Sequence, residues 1–519
     1  MIEMDEMKGR GKRGLLRVVF GRTMFFLLFI ALQLAFFFWI YVWLDNKYQA
    51  WGYGSFALIS AILTIHILNE KQNASFKMAW LIPVLLFPVF GTLFYVFVQL
   101  QMETKIFAKR IAEVQKRTDH FLEQDTAVYE RLSRRSRRNA NLSYYMKKSG
   151  GYPTWDRTNF KYFPLGDEFY TDVLQELQKA RRYIFVEYFI ISKGILWDSI
   201  LKILEQKAKE GVEVRILYDG MNSFSNLPHD YPKELEAKGI RCRIFNPIRP
   251  AISTSQNNRD HRKILVIDGH TAYTGGVNLA DEYINRKVRF GHWKDNAIRL
   301  KGEAVKNFTV MFLQMWDVCS KKLDSDFDYS PYLDTGDYFH SPELDMDGFS
   351  IPFSDSPIDG EPVGHQLYLD IIYQAKKYVY IMTPYLVLDD DMITALTYAA
   401  KRGVDTVIIM PHIPDKKSAF MLAHSYYTEL IEAGVKIYEY LPGFVHSKTF
   451  VSDGEKAVVG SVNMDFRSQY LNFECGVYIY ENPVVEQIKK DFDETLPKCV
   501  RMTKESVEAL PALHKFCGK

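Results

Sequence analysis

Closely spaced cysteines, nucleotide-binding glycine loops and a sizeable net charge are all missing from this chain. Its five cysteines, at 242, 319, 475, 499 and 517, are scattered and odd in number. No C-x-x-C pair or Cys/His cluster marks a zinc site, and no disulfide framework is implied. No Walker or Rossmann glycine loop is present, so the sequence offers no nucleotide site of those kinds. The 65 Lys+Arg and 63 Asp+Glu residues leave a formal charge of only +2, and no global field asks for nucleic acid as a partner. No carboxylate/histidine cluster has metal-ligand spacing, so the chemistry is expected to need neither metal nor cofactor.

The near-zero balance hides a strong segregation. Met24–Leu44 is 21 residues without a charge, Met78–Leu100 is 23, and Trp51–Leu68 is 18 with His66 as its one ionisable group. About 20 apolar residues cross a hydrocarbon core as a helix, so residues 1–104 are expected to form a multi-pass membrane region with spans near 24–44, 51–68 and 78–100. Met24–Leu44 is too long for a signal-peptide core, and Trp39, Tyr41 and Trp43 stand where a cleavage site would need small residues. Residues 105–150 read as a basic linker: Lys105–Lys148 carries twelve Lys/Arg against five Asp/Glu. Following an apolar run, such a stretch suits anionic headgroups, at about 1 kcal/mol per basic residue.

From Tyr152 onward an α/β pattern runs twice. Helix 167–180, strand 183–190, helix 196–209, strand 213–218, helix 231–238 and strand 241–245 make the first pass. Helix 364–375, strand 378–382, helix 391–402, strand 405–409, helix 418–432 and strand 436–439 make the second. Two duplicated α/β units with mixed sheets follow, at 151–335 and 336–519, separated by a stretch rich in Asp, Ser and Pro.

Each pass ends in the same short pattern, H-x-K-x4-D-G. The first copy supplies His261, Lys263 and Asp268; the second supplies His446, Lys448 and Asp453. A small-residue turn and an asparagine follow each at the same offset, ending at Asn278 and Asn463. Chance would give roughly 0.04 matches to the core pattern at average composition. On a strand, His and Lys share a face, whereas Asp, seven residues on and just before a glycine, points the other way and is expected to anchor local structure. Two imidazoles, two ammoniums and two amides around one site suit a phosphodiester. One histidine attacks phosphorus, and the other protonates the leaving oxygen and then deprotonates the acceptor. Each imidazole needs an acceptor for its second nitrogen; Glu474, 28 residues after His446, and Asp295, after His261, are the candidates. His365, His412 and His424 read as packing or surface residues. For the nucleophile, His261 is favoured, because Arg259 and Arg262 beside it would hold an anionic donor and keep the imidazole neutral.

Residues 258–284 and 443–474, with Thr383-Pro384-Tyr385 and the apolar element from Ala79-Trp80 to Pro88-Val89-Phe90-Gly91, resemble the phospholipase D superfamily. Within it, they resemble the bacterial cardiolipin synthase family most. Asp219-Gly-Met-Asn222-Ser223 and Ser354-Asp-Ser356-Pro357 depart from that family's usual Asp-Gly-x-Gly-Ser and Ser-Gly-Pro. The resemblance implies two facing phospholipase-D-like units at a bacterial plasma membrane. It implies transfer of a phosphatidyl group between phosphatidylglycerol molecules, through a phosphatidyl-histidine, to give cardiolipin and glycerol. A phospholipase-D-type hydrolase, or a transphosphatidylase using another lipid or acceptor, would share the motif.

Overall fold

In the computed structural model, residues 22–43, 46–71, 74–99, 102–221, 226–247, 257–320, 328–336, 338, 344 and 347–510 are described. The basic residues before Arg22, the Asn222-Ser223 departure and Cys517 lie outside them. The four cysteines among the described residues are unbonded. Two compact units divide the chain, Met1–Glu103 and Thr104–Lys519.

In the first unit, helices run over Arg22–Trp43 and Asn46–Asn69. The third apolar run is not one helix. It breaks into Ala74–Leu86 and Pro88–Gln99 at Phe87, the residue that Pro88 drives out of helical geometry. The two arms fold back on each other. The Trp80 ring lies 5.2 Å from that of Tyr95, and a Cβ on Gly91 would fall 2.2 Å from the Pro83 carbonyl oxygen. At about 1.5 Å per residue, each arm is far shorter than a bilayer core. Among the described residues, no helix is long and apolar enough to cross a membrane.

The second unit carries two mixed sheets. The first is built from β1 (Thr158–Phe163), β2 (Tyr183–Tyr188), β3 (Glu213–Asp219), β4 (Arg241–Phe245), β5 (Lys263–Ile267), β6 (Thr271–Gly275) and β7 (Ala297–Gly302), in the order β1-β7-β6-β5-β2-β3-β4. The second uses β8 (Phe349–Asp355), β9 (Tyr378–Met382), β10 (Asp405–Pro411), β11 (Lys436–Tyr440), β12 (Thr449–Ser452), β13 (Lys456–Gly460), β14 (Asn472–Tyr480) and β15 (Cys499–Met502). Its order is β8-β14-β13-β12-β9-β10-β11-β15. The first seven places correspond one to one, so the duplicated sequence pattern is a duplicated topology. β2, β3 and β4 pair in parallel, as do β9, β10 and β11, while the motif hairpins β5–β6 and β12–β13 are antiparallel.

Helix Val305–Val318 is buried around nearly its whole circumference. Phe308 and Phe312 join strand residues of both sheets in one core. The halves therefore share their interior. Residues 105–150 belong to it too, which corrects their reading as a linker. They form helices Met102–Thr118, Thr126–Arg135 and Arg137–Gly150, and Val114, Val128, Leu132, Ala140 and Met146 lie in the shared core. Arg131 pairs with Asp156, Arg135 with Glu481 and Lys147 with Asp119. A helix with apolar residues every three or four positions buries that stripe wherever a core accepts it, whatever its charge balance.

The motif aspartates explain the strand geometry around them. Asp268 sits in a turn with φ 52° and accepts the backbone N–H groups of Arg181, Arg182 and Tyr183 at 2.8, 2.8 and 2.9 Å. Asp453, with φ 57°, does the same for Lys376, Lys377 and Tyr378. Each ties the end of a motif hairpin to the start of β2 or β9. Asp268→Asn places an N–H donor among three others. It is expected to cost about 1–3 kcal/mol in a denaturation curve, with turnover per folded molecule within about threefold of the parent. A turnover loss as large as that of a Lys263 substitution would contradict this anchoring role.

Candidate active site

Both motif histidines lie at joints between short strands. His261 links Arg259–Asp260 to β5, and His446 links Gly443–Val445 to β12. These joints are stitched crosswise. Arg259–Asp260 pairs in parallel with the start of β14, and the His261 N–H donates to Phe473 O at 2.9 Å. Gly443–Val445 pairs in parallel with His292–Lys294, and the His446 N–H donates to Lys294 O at 2.7 Å.

The carboxylate partners are consequently exchanged. His261 Nδ1 stands 2.9 and 2.8 Å from the two oxygens of Glu474, and His446 Nδ1 stands 2.6 Å from Asp295 Oδ2. Proximity in sequence suggested the opposite pairing. It failed because Glu474 lies on, and Asp295 directly after, the strand laid beside the other half's histidine.

Glu474 is fully buried and receives Ser468 Oγ at 2.6 Å, Asn472 Nδ2 at 3.2 Å and Ser461 Oγ. Asp295 receives Asn296 N–H at 2.9 Å. The position matching Ser461 is Gly276, where a Cβ would fall 2.0 Å from Asp295 Oδ1. The sequence shows this glycine/serine difference, but its meaning appears only with the carboxylates in place. Arg259 and Arg262, expected to hold an anionic donor, are occupied by acids instead. Arg259 pairs with Asp219, and Arg262 with Glu187 and Asp260, all buried.

Lys263 and Lys448 each donate to the carbonyl of their own motif histidine. Asn278 donates to the Tyr283 hydroxyl at 2.9 Å and accepts Ile190 N–H at 3.1 Å, whereas Asn463 is buried with no partner for Oδ1 among the described residues. Phe189 lies edge-on to His261 at 4.8 Å, and Tyr283 edge-on to His446 at 5.3 Å. His424 is buried with Tyr427 against Glu439, which also accepts from half-exposed His412. Among the described residues, one group of three has ligand atoms close enough for a metal ion: His365, Asp389 and Asp391.

Burial governs the electrostatics. It pushes His261 down to about 4 and, with help from the Lys448 charge, His446 down to about 3. It pushes Lys263 down to about 8 and, with the Lys263 charge opposite, Lys448 to about 7. Burial works against ionisation of Glu474 and Asp295, but their histidines and lysines hold both below the usual carboxylate range. Near pH 7, before an anionic substrate enters, the site holds two neutral imidazoles, each donating Nδ1–H to a carboxylate, with cationic charge beside them. Each half's lysine acts on the other half's histidine, so the two sets work on one space.

A pH profile follows from these positions. Lysines bind a phosphate anion only below their pKa, the attacking imidazole works only above its own, and the imidazole that protonates the leaving oxygen must be charged. The kcat/KM is therefore expected to fall through an alkaline limb near pH 7–8 and an acid limb near pH 4. A rate still rising from pH 8 to pH 10 would overturn the assignment of charge to the lysines.

The family model described as "Cardiolipin synthase, PLD-like domain" matches residues 173–316 and 368–496, and "Phospholipase_D-nuclease N-terminal" matches 58–99. An uncharacterized protein of Streptococcus mutans is 47% identical, covering 88% of this chain and 97% of its own. A cardiolipin synthase of Alkalihalophilus pseudofirmus is 35% identical over 86% of this chain and 88% of its own, and one of Geobacillus kaustophilus 35% over 85% and 86%. Among solved structures, phosphatidylserine synthase of Haemophilus influenzae aligns with a TM-score of 0.51 at 16% identity, covering 66% of this chain and 87% of that one. That likeness speaks for the fold alone.

Proposed function

The chain belongs to the cardiolipin synthase family of phosphatidyltransferases in the phospholipase D superfamily, and we propose that it moves a phosphatidyl group from one phosphatidylglycerol to another, releasing glycerol. The carrying observation is the crosswise pair of imidazoles on buried carboxylates, with two buried lysines beside them.

In this reading His261 is the nucleophile. Its Nδ1–H is committed to Glu474, which leaves Nε2 as the basic nitrogen. Nε2 attacks phosphorus, while His446, protonated on Nε2 once the anionic phosphodiester lies beside it, gives that proton to the departing glycerol oxygen. His446 then takes the proton of the acceptor hydroxyl as that oxygen displaces His261 from phosphorus. Glu474, fixed by two serines and an asparagine, suits a residue that carries a covalent bond and a positive ring. Asp295 needs only to steady an imidazole that exchanges protons. Lys263, Lys448, Asn278 and Asn463 supply donors to the phosphate oxygens, where preorganised donors count most.

The setting we propose is the bacterial plasma membrane. Supporting it are the uncharged Met24–Leu44 run, outward-facing Phe38, Leu58, Ile62 and Ile65, and the Ala74–Gln99 hairpin with exposed Ile82, Leu85 and Leu86. Phosphatidylglycerol vesicles incubated with the purified enzyme should yield cardiolipin and glycerol in equal amounts by mass spectrometry. Phosphatidate as the main product would make it a hydrolase instead. Acid-quenched enzyme should carry the phosphatidyl adduct on His261; an adduct confined to His446 reverses the two roles.

A further inference from the structure

Phosphodiester exchange at one histidine requires the leaving alcohol and the incoming alcohol to occupy the same place in turn, next to the general acid/base. Something beyond the phosphate donors must recognise that alcohol. A loop hydrogen-bonded to the chain leading into His446 holds a group the mechanism above does not use. Asp415 lies between β10 and helix Lys417–Glu432. The loop carrying it is tied to the strand that leads into His446, with His412 N–H on Tyr440 O at 3.3 Å and Ile413 N–H on Gly443 O at 3.4 Å.

One Asp415 oxygen, Oδ2, accepts the Tyr385 hydroxyl at 2.6 Å. The other, Oδ1, is closed off from solvent and has no hydrogen-bond partner among the described residues. A buried carboxylate oxygen without a donor costs free energy unless something fills the gap, so its position asks for a ligand. Tyr283 stands close enough to Asp415 to feel its charge. Its ring is edge-on to His446, and its hydroxyl already accepts from Asn278, which leaves its own proton to give. Burial, with Asp415 and neighbouring acids adding to it, keeps Tyr283 and Tyr385 protonated as donors. The Lys416 ammonium lies 4.8 Å from the centre of the Tyr385 ring. With that cation beside Tyr385, an ammonium headgroup would meet a positive charge already there, whereas a neutral hydroxyl would not.

We propose that Asp415 Oδ1, flanked by the Tyr283 and Tyr385 hydroxyls, accepts a hydroxyl of the headgroup alcohol, so that this subsite selects a polyol such as glycerol over simple alcohols and amino alcohols. The inference rests on the phosphatidyl-transfer reading and adds the residue that chooses the alcohol. It also accounts for transfer in water: an alcohol held by its second hydroxyl presents its reacting one to His446 at high effective concentration.

The test is a competition for one phosphatidyl-enzyme. Phosphatidylglycerol vesicles are supplied with deuterated glycerol, 1-propanol and ethanolamine together, and labelled phosphatidylglycerol, phosphatidylpropanol and phosphatidylethanolamine are quantified. The parent enzyme is expected to favour glycerol over both others by about tenfold or more. Asp415→Ala should bring the glycerol-to-propanol ratio close to one, and Asp415→Asn, which keeps an acceptor oxygen, should fall between. The ratio is internal to each sample, so partial unfolding lowers all products without moving it. An unchanged ratio in folded Asp415→Ala, or a parent preference for ethanolamine, overturns the proposal. A parent enzyme that makes neither cardiolipin nor labelled phosphatidylglycerol overturns the phosphatidyl-transfer reading instead.

Discussion

His261→Ala and His446→Ala are each expected to cut cardiolipin formation by about 10⁴-fold or more, since one removes the nucleophile and the other the proton carrier. Neither role can be covered by the other half, because each imidazole is fixed on its own carboxylate. The two losses should differ in kind. With a phosphatidyl donor whose leaving group needs no proton, such as a nitrophenol, His446→Ala should still release one equivalent in a burst. His261→Ala should release none. Removing either side chain leaves Glu474 or Asp295 buried without its partner, so the comparison is made per folded molecule, with His→Gln variants as a smaller disturbance. A normal cardiolipin rate in either folded variant refutes the two-histidine mechanism. A burst from His261→Ala alone exchanges the roles.

Lys263→Met and Lys448→Met are expected to lose about 3 kcal/mol of transition-state stabilisation each, on the order of a hundredfold in rate, as for a lost oxyanion donor. Their effect on stability should run the other way. Both ammoniums are almost completely buried and make one direct hydrogen bond each, to a backbone carbonyl. A charge held there is retained against its preference for water, and an apolar chain of similar length relieves that cost. Melting temperatures of the two variants should equal or exceed that of the parent while turnover collapses. A drop of several degrees together with the lost activity would make these lysines structural and withdraw their role at the phosphate.

The α/β order was legible because helical and extended periodicities differ strongly, and the two passes supported each other: the strand at Tyr378–Met382 and the helix end at Lys209 fall where the sequence puts them. The motif residues were legible because their chemistry is rare at that spacing. What escaped was whatever depends on which strand lies beside which. Glu474 is near His446 in the chain and near His261 in space, because Asn472-Phe473 pairs with Arg259-Asp260. Arg259 and Arg262 looked like phosphate ligands until the acids that bind them, Asp219 and Glu187, arrived from other strands. The 105–150 helices looked like a linker because charge dominates their composition, while a handful of apolar residues decides where they pack. The run from Met78 to Leu100 was long enough for a single span, and only the fold-back of Trp80 onto Tyr95 shows two short arms.

The crosswise carboxylates give the duplicated halves a shared fate. Neither half contains a working histidine: the one in the first half is oriented by Glu474 of the second, and the one in the second by Asp295 of the first. A rigid-body separation of only a few ångströms would strip both imidazoles of their acceptors in the same instant. Catalytic competence is then a property of the seam and not of either copy. A nick in the chain between them should be harmless while the fragments stay together, and neither fragment alone should retain any transferase activity.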